Sequence, residues 1–323
     1  FDGSVAIATA SADEPNKVLL ALRGSGQGLY VGIAEDRFIV ASEPYGVVEE
    51  TMRYVRMDGE ALSDANNPSS RGQVIMLDGD IAGTVNGMSM LAYDGTDLGL
   101  NESHVAIAEV TTRDIDRGEH KHFLAKEIGE APASFRKTLR GKIGERDGNL
   151  FASLDTSVVP QHVIDALAAG KIARIRVIGQ GTAAIAGRSL VQLLRTLVDH
   201  RVQVDALPAT ELSGFQLQLD MSDTLVIAIS QSGTTTDTNR TVDLARSRGA
   251  SVLAIVNRRG SELAAKADGV LYTSDGRDVE MSVASTKAFY SQVSAGALLS
   301  CALSSALGSG TDAARHQLLA ALR

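Results

Sequence analysis

The sequence predicts an α/β protein in which a doubly wound parallel sheet follows a smaller, layered α+β part. Three observations support this prediction. From about residue 158 onwards, short apolar runs alternate with amphipathic helical patterns, as in parallel strands joined by crossover helices. Before residue 60, apolar runs follow each other at the spacing of antiparallel hairpins. The length of 323 residues is sufficient for two domains.

The composition excludes several classes of function. Hydrophobic residues make up 44%, charged residues 22%, and the net charge is −8, without a basic block, so nucleic acid is not an expected partner. No apolar run reaches the roughly 20 residues of a membrane helix. The single cysteine, Cys301, excludes a disulfide within the chain and a multi-cysteine metal site. We expect a cytoplasmic protein.

The N-terminal part is expected to be a stack of short strands. We predict them at residues 5–8, 18–22, 29–33, 38–42, 51–58, 73–77 and 82–92. Residues 13–16 are predicted as a turn, and 64–72 as a loop. The chain begins with Phe1, and a strand follows almost at once, so we expect it to be an excised part of a longer protein.

From residue 116 the pattern becomes helical. A first helix is predicted from residue 122, interrupted by Pro132 and resumed at 133–139, with Phe123, Ile128, Phe135 and Leu139 towards the core. Strands are then predicted at 174–178, 202–206, 224–229, 251–256 and 270–273. Helices are predicted at 163–169, 181–200, 209–218, 237–248, 261–267 and 284–307.

The functional prediction depends on residues 223–235, DTLVIAISQSGTT. The apolar run at 224–229 is typical of a strand buried on both faces, and it ends in hydroxyl and amide side chains before a helix. Because a helix N-terminus attracts anions and hydroxyls add donors, this turn is a candidate phosphate site. It contains no Lys or Arg, which suits a compact phosphate held by neutral donors. The alternative is that the hydroxyls only cap the helix.

Other candidates carry weaker signals. Gly179 and Gly181 form a GxG turn, but Ala184 stands where a dinucleotide fingerprint has its third glycine. His120 and His122 lack the further ligands that a zinc site requires, so no metal is expected.

Three basic residues have ordinary structural explanations. Lys287 is more simply a structural residue than a Schiff-base lysine. Arg258 and Arg259 are more simply solvated than phosphate ligands.

Three segments together resemble a known family: IGQGTAAIAGR (178–188), AISQSGTTTDT (228–238) and SVASTKAF (282–289). They are similar to a sugar isomerase (SIS) domain, in particular the first such domain of the glutamine–fructose-6-phosphate aminotransferases. Residues 117–142 resemble the segment that leads into it. The resemblance implies that residues 116–323 are the SIS domain with leading helices. Residues 1–115 would be the C-terminal part of a class II glutamine amidotransferase-like domain, with an insertion after residue 60.

The resemblance also implies the site. The phosphate donors of the family fall on Ser230, Gln231, Ser232 and Thr235. The first turn contributes Gly181 and Thr182, and the sugar side is lined by Val283 and Ala284. Glu280 stands where the family has an acidic residue. Gln180 and Ala183 replace a cysteine and a serine of the family, so one sugar-facing hydroxyl is lost at Ala183.

The implied activity is the glutamine-dependent conversion of fructose 6-phosphate to glucosamine 6-phosphate, without a cofactor. The bound partner is expected to be one of these sugar phosphates, and a homodimer is expected through the SIS helices. No N-terminal cysteine nucleophile lies near Phe1, and the chain ends at Arg323 before a second SIS domain, so catalytic residues are not assigned. The alternatives are a SIS-type sugar-phosphate isomerase or deaminase, and a non-catalytic sugar-phosphate-binding module.

Overall fold

The computed structural model describes residues 3–24, 28–108, 115–199, 201–282 and 284–323. The chain divides into two compact units, Phe1–Asp116 and Arg117–Arg323. Within the described residues, no helix is both long and apolar enough to cross a membrane.

The described residues of the first unit form eight strands. They are β1 (Val5–Ser11), β2 (Glu14–Arg23), β3 (Tyr30–Ile33), β4 (Phe38–Ala41), β5 (Arg53–Arg56), β6 (Gln73–Asp78), β7 (Met88–Ala92) and β8 (Val105–Ile107). These strands form two antiparallel sheets, ordered β1-β2-β6-β7 and β4-β3-β5-β8. Alternate apolar residues of both sheets share one core, as expected for layered sheets. The described part of this unit has short 3₁₀ turns and no α-helix.

Two predictions for this unit are wrong. The turn predicted at residues 13–16 is shorter, because Ser11 already pairs with Glu14 and β2 begins there. Pro15, which cannot donate a backbone hydrogen bond, falls in the irregular stretch of that pairing, before the ladder with β6 starts at Lys17. The strand predicted at 82–92 is confined to β7, because 3₁₀ turns occupy Gly79–Ile81 and Val85–Gly87.

The second unit opens with one continuous helix, α1 (Phe123–Leu139), which contains Pro132 in its interior. The predicted interruption is therefore wrong. Pro132 lies on the exposed side, where water can satisfy the carbonyl group that loses its partner. The predicted core face is also wrong at Ile128, which is 57% exposed. The buried face of α1 instead carries small and polar residues, namely Glu127, Ala131, Ser134 and Thr138.

A hairpin and a doubly wound sheet follow α1. The strands are β9 (Ile143–Arg146), β10 (Asn149–Ala152), β11 (Arg174–Gly179), β12 (Gln203–Pro208), β13 (Thr224–Ser230), β14 (Ser251–Val256) and β15 (Gly269–Tyr272). The helices are α2 (Gln161–Ala168), α3 (Thr182–Leu197), α4 (Ala209–Glu211), α5 (Thr236–Arg246), α6 (Glu262–Lys266), α7 (Lys287–Ala306) and α8 (Asp312–Ala320). The hairpin and α8 were not predicted, and a π turn replaces the end of the helix predicted at 209–218.

The five parallel strands are ordered β12-β11-β13-β14-β15. Helices cover both faces, so that Leu225, Ile227 and Ile229 of β13 join one core with α2, α3 and α7. Val226 and Ala228, which point to the other face, join a second core with α5 and α6. This arrangement confirms the predicted fold class. Because the chain runs from β11 to the edge and returns to β13 on the other side, a crevice opens between the ends of these two strands.

Helix α7 is buried almost along its whole length and packs against α1 and α3. Its apolar surface is thus largely covered within the unit. A homodimer stays a prediction.

Candidate functional site

A cavity of about 160 Å³ lies at the carboxyl ends of β11 and β13. Among the described residues, twelve from four segments line it: Gln180, Thr182, Ala183, Ile229, Ser230, Gln231, Ser232, Thr235, Glu280, Ser282, Ser285 and Gln292. In open parallel sheets, the point where the strand order reverses is where ligands bind. The cavity occupies that point.

Residues 230–235, here called the serine loop, form the first wall. The loop turns at Gly233, which has a φ of +68° that favours glycine. The Ser230 hydroxyl accepts a hydrogen bond from the Gly233 amide (3.0 Å), and the Gly233 carbonyl accepts bonds from Asn239 Nδ2 and the Leu263 amide (both 3.0 Å). The loop is therefore fixed to α5 and to α6.

The hydroxyl groups of the serine loop do not cap α5. Thr235 occupies the N-cap position, but its side chain makes no capping bond and lies 3.2 Å from Ser230 Oγ. Ser232 Oγ accepts from the hydroxyl of Thr234 at 2.9 Å. Thr235 therefore does not cap the helix with its side chain, as the alternative interpretation of the loop required. The loop instead places hydroxyls beside the N-terminus of an 11-residue helix.

Residues 278–286, here called the 278–286 loop, and α7 form the opposite wall. Glu127 of α1 accepts hydrogen bonds from the amides of Met281 and Ser282. Glu280 accepts from the Thr286 amide (2.6 Å) and the Ala288 amide (3.2 Å), so its carboxylate stabilises the start of α7. Two carboxylates therefore hold this loop in place.

The charge at the cavity is acidic. Of the described lining residues, Glu280 alone is charged, and none is Lys or Arg. Gln180 donates from Nε2 to Asp237 Oδ2 (3.2 Å) and Thr210 Oγ1 (3.3 Å), which joins the end of β11 to the first turn of α5. Any anion bound here depends on neutral donors and the helix terminus.

The structure brings together five of the eight predicted site residues, namely Thr182, Ser230, Gln231, Ser232 and Thr235. Gly181 lies just outside the lining, with a φ of +55°, and precedes α3. Ala284 is exposed and does not line the cavity. Val283 lies outside the described residues.

Four lining residues were not considered for the site in the sequence: Ile229, Ser282, Ser285 and Gln292. Ser282 and Ser285 belong to the SVASTKAF segment, so that segment was the signal that could have found both hydroxyls.

The other candidates have structural partners. Lys287 is buried, and its Nζ lies 2.6 Å from Glu130 Oε2, which supports a structural role. Arg259 stacks on Tyr272 at 4.6 Å and donates to the Asp275 carbonyl. In the part of the chain that the structure describes, no group of three or more His, Cys, Asp or Glu side chains could hold a metal ion.

Comparison with known proteins defines the class of the second unit. Residues 170–302 match the family model of the SIS domain. These residues contain all five strands of the parallel sheet and the serine loop. The segment is a SIS domain.

The chain is similar to particular proteins over almost its whole length. It is 31% identical over 301 residues to the glutamine–fructose-6-phosphate aminotransferase [isomerizing] of Corynebacterium diphtheriae, covering 93% of this chain and 42% of that protein. The protein of the same name from Corynebacterium glutamicum is 32% identical over 301 residues, with the same coverage. These matches confirm the resemblance found in the sequence. The chain spans about two fifths of the length of these relatives.

A further comparison is with a solved structure. The C-terminal domain of glucosamine-fructose-6-phosphate aminotransferase from Francisella tularensis superposes with a TM-score of 0.54 and 25% identity, covering 64% of this chain and 55% of that one.

Proposed function

We propose that the cavity binds the phosphate group of a sugar phosphate. The observation that carries this proposal is the position of the serine loop, whose hydroxyls meet the N-terminus of α5 at the strand-order reversal. A phosphate there would accept hydrogen bonds from Ser230, Ser232 and Thr235, and from Thr182 across the cavity.

We also propose the reaction in which this site takes part. The chain would supply the sugar-phosphate site of an enzyme that aminates and isomerises fructose 6-phosphate to glucosamine 6-phosphate, with nitrogen from glutamine. The names of the relatives support this proposal. The match covers 93% of the chain and must therefore include most of the first unit, which favours this activity over a SIS-type isomerase or deaminase and over a simple binding module.

The residues of the cavity would act by positioning. Fixing the phosphate in the serine loop leaves the sugar directed along the cavity towards the 278–286 loop, so that the carbonyl end is presented in one orientation. Glu280 Oε1 accepts bonds from Thr286 and Ala288, which assigns this carboxylate to the support of α7. The catalytic groups stay unassigned.

Isothermal titration calorimetry with fructose 6-phosphate tests the phosphate site. Replacing Ser232 with Ala should weaken binding by about 1–3 kcal/mol, because the enclosed phosphate loses a donor. Ser247→Ala is the matched control, since its exposed hydroxyl bonds the Leu244 carbonyl at the far end of α5. Equal affinity of the two variants, or a wild-type chain that does not bind the sugar phosphate, would contradict the proposal.

A further inference from the structure

Gln292 is a buried side chain of α7 that lines the cavity. It is 2% exposed, and no described residue donates a hydrogen bond to its Oε1, which is itself buried. Buried amide oxygens are almost always paired in folded proteins, because an unpaired one loses its bonds to water without replacement. The fold alone therefore does not explain this glutamine.

Neighbouring polar groups on the same helix are satisfied. Ser291 Oγ lies 2.8 Å from Ser134 Oγ, Ser294 donates to the Ser291 carbonyl at 2.9 Å, and Ser300 donates to the Gly296 carbonyl at 2.8 Å. The helix thus pairs its hydroxyls within the protein, whereas the carboxamide that faces the cavity has an unused acceptor.

The two walls of the cavity differ in chemistry. The serine loop offers hydroxyl donors beside a helix N-terminus, which suits a phosphate. The opposite wall carries Glu280 and Gln292, whose oxygens are acceptors. A phosphate held in the serine loop would lie at the opposite wall, so the groups that face Gln292 Oε1 would be the sugar hydroxyls, which can donate a hydrogen bond. The terminal torsion of glutamine is broad, so rotation can turn Oε1 towards the cavity that the side chain already lines.

We propose that the carboxamide of Gln292 hydrogen-bonds a hydroxyl group of the bound sugar and so selects a hydroxylated phosphate ester over phosphate alone. This inference rests on the proposed function. Ala183 also lines the cavity, but its side chain has no polar group and offers the sugar no hydrogen bond. The carboxamide of Gln292 would supply a polar contact to the sugar instead.

The test compares two ligands in calorimetric titrations of the full chain, fructose 6-phosphate and inorganic phosphate. Gln292→Met keeps the length of the side chain and removes the amide. It should lower the affinity for fructose 6-phosphate about tenfold, the effect of one lost hydrogen bond, and change the affinity for phosphate by less than about twofold. Thr238→Val is the matched control, since Thr238 Oγ1 is also buried without a partner but does not line the cavity. It should change neither affinity.

The role of Gln292 and the phosphate site can fail separately in these titrations. If wild type binds both ligands and Gln292→Met loses neither, or loses both equally, the role of Gln292 is refuted while the phosphate site stands. If wild type binds neither ligand, both fail. Gln292→Asn, which shortens the side chain by one methylene group, should give the same selective loss. If both variants instead melt far below wild type, the glutamine is structural and the inference fails.

Discussion

The serine loop depends on a glycine that no other residue can replace without strain, and this gives the sharpest prediction. Gly233 has a φ of +68°, and an added Cβ would lie 2.2 Å from Ser261 Oγ, 2.6 Å from Ser261 Cβ and 2.9 Å from Val256 Cγ2. Gly233→Ala therefore meets an unfavourable backbone conformation and a steric clash. Both act on the loop that would hold the phosphate.

The structure allows the two effects to be separated. An alanine in the left-handed region costs about 1–2 kcal/mol. The clash adds to this, because Ser261 must move and its side chain accepts from the Ala264 amide as the N-cap of α6, worth about 1 kcal/mol. We expect Gly233→Ala to lower the free energy of unfolding by about 2–3 kcal/mol.

Gly260 provides the matched control. It has a φ of +62°, but nothing lies within 4 Å of an added Cβ. Gly260→Ala should therefore cost only the backbone strain, about 1–2 kcal/mol, and leave binding unchanged. Urea unfolding measures the stabilities, and calorimetry with fructose 6-phosphate measures binding. Equal losses of stability in the two variants, with equal retention of binding, would refute the assigned role of Gly233.

Three further predictions concern the supports of the site. Lys287→Met should lower the free energy of unfolding, measured in urea, by about 1–2 kcal/mol, because it leaves the partly buried Glu130 carboxylate without its closest cation. An unchanged free energy of unfolding would show that this ion pair does not stabilise the fold. Burial raises the pKa of the Asp278 carboxyl, but the hydrogen bond from Ser274 and nearby lysine charges outweigh this, so the pKa lies below its usual value. Since the folded state has the lower pKa, the carboxylate stabilises the fold above the unfolded pKa of about 4, and the contribution is lost as the pH falls through the folded value. Asp278→Asn should thus flatten the acid side of the curve of melting temperature against pH, and an unchanged curve would contradict this. Burial raises the pKa of the Cys301 thiol to about 11. Thiol reagents at about pH 8 should therefore label this cysteine only after unfolding. Rapid labelling of the native chain would show that α7 is not packed as described.

Local patterns were sufficient to predict the sheet of the second unit. The strand predicted at 251–256 coincides with β14, and the other four strands were predicted to within about two residues. Each strand is a short apolar run between polar turns, so its identity does not depend on distant contacts. The serine loop was predicted for the same reason, because its residues are contiguous.

Other features depend on contacts that a local pattern does not contain. The buried face of α1 carries Glu127, Ser134 and Thr138 because these residues hydrogen-bond to residues more than 130 positions away. An apolar periodicity misses them, and it places Ile128, which is exposed, towards the core. Gln292 lines the cavity because α7, which lies far along the chain from the serine loop, packs against α3 and β14. The β9–β10 hairpin is different, since Asp147 and Gly148, both with positive φ, form an Asp-Gly turn. An Asp-Gly pair is a local hairpin signal, but no hairpin was predicted there.

We propose that the serine loop receives the phosphate group of a sugar phosphate. A crystal structure of the chain grown with fructose 6-phosphate would show directly where this group binds. We expect phosphate oxygens within hydrogen-bond distance of Ser230, Ser232 and Thr235, with the sugar extending towards Gln292. A phosphate bound elsewhere on the protein, with the serine loop closed by its own hydroxyl contacts, would contradict this proposal.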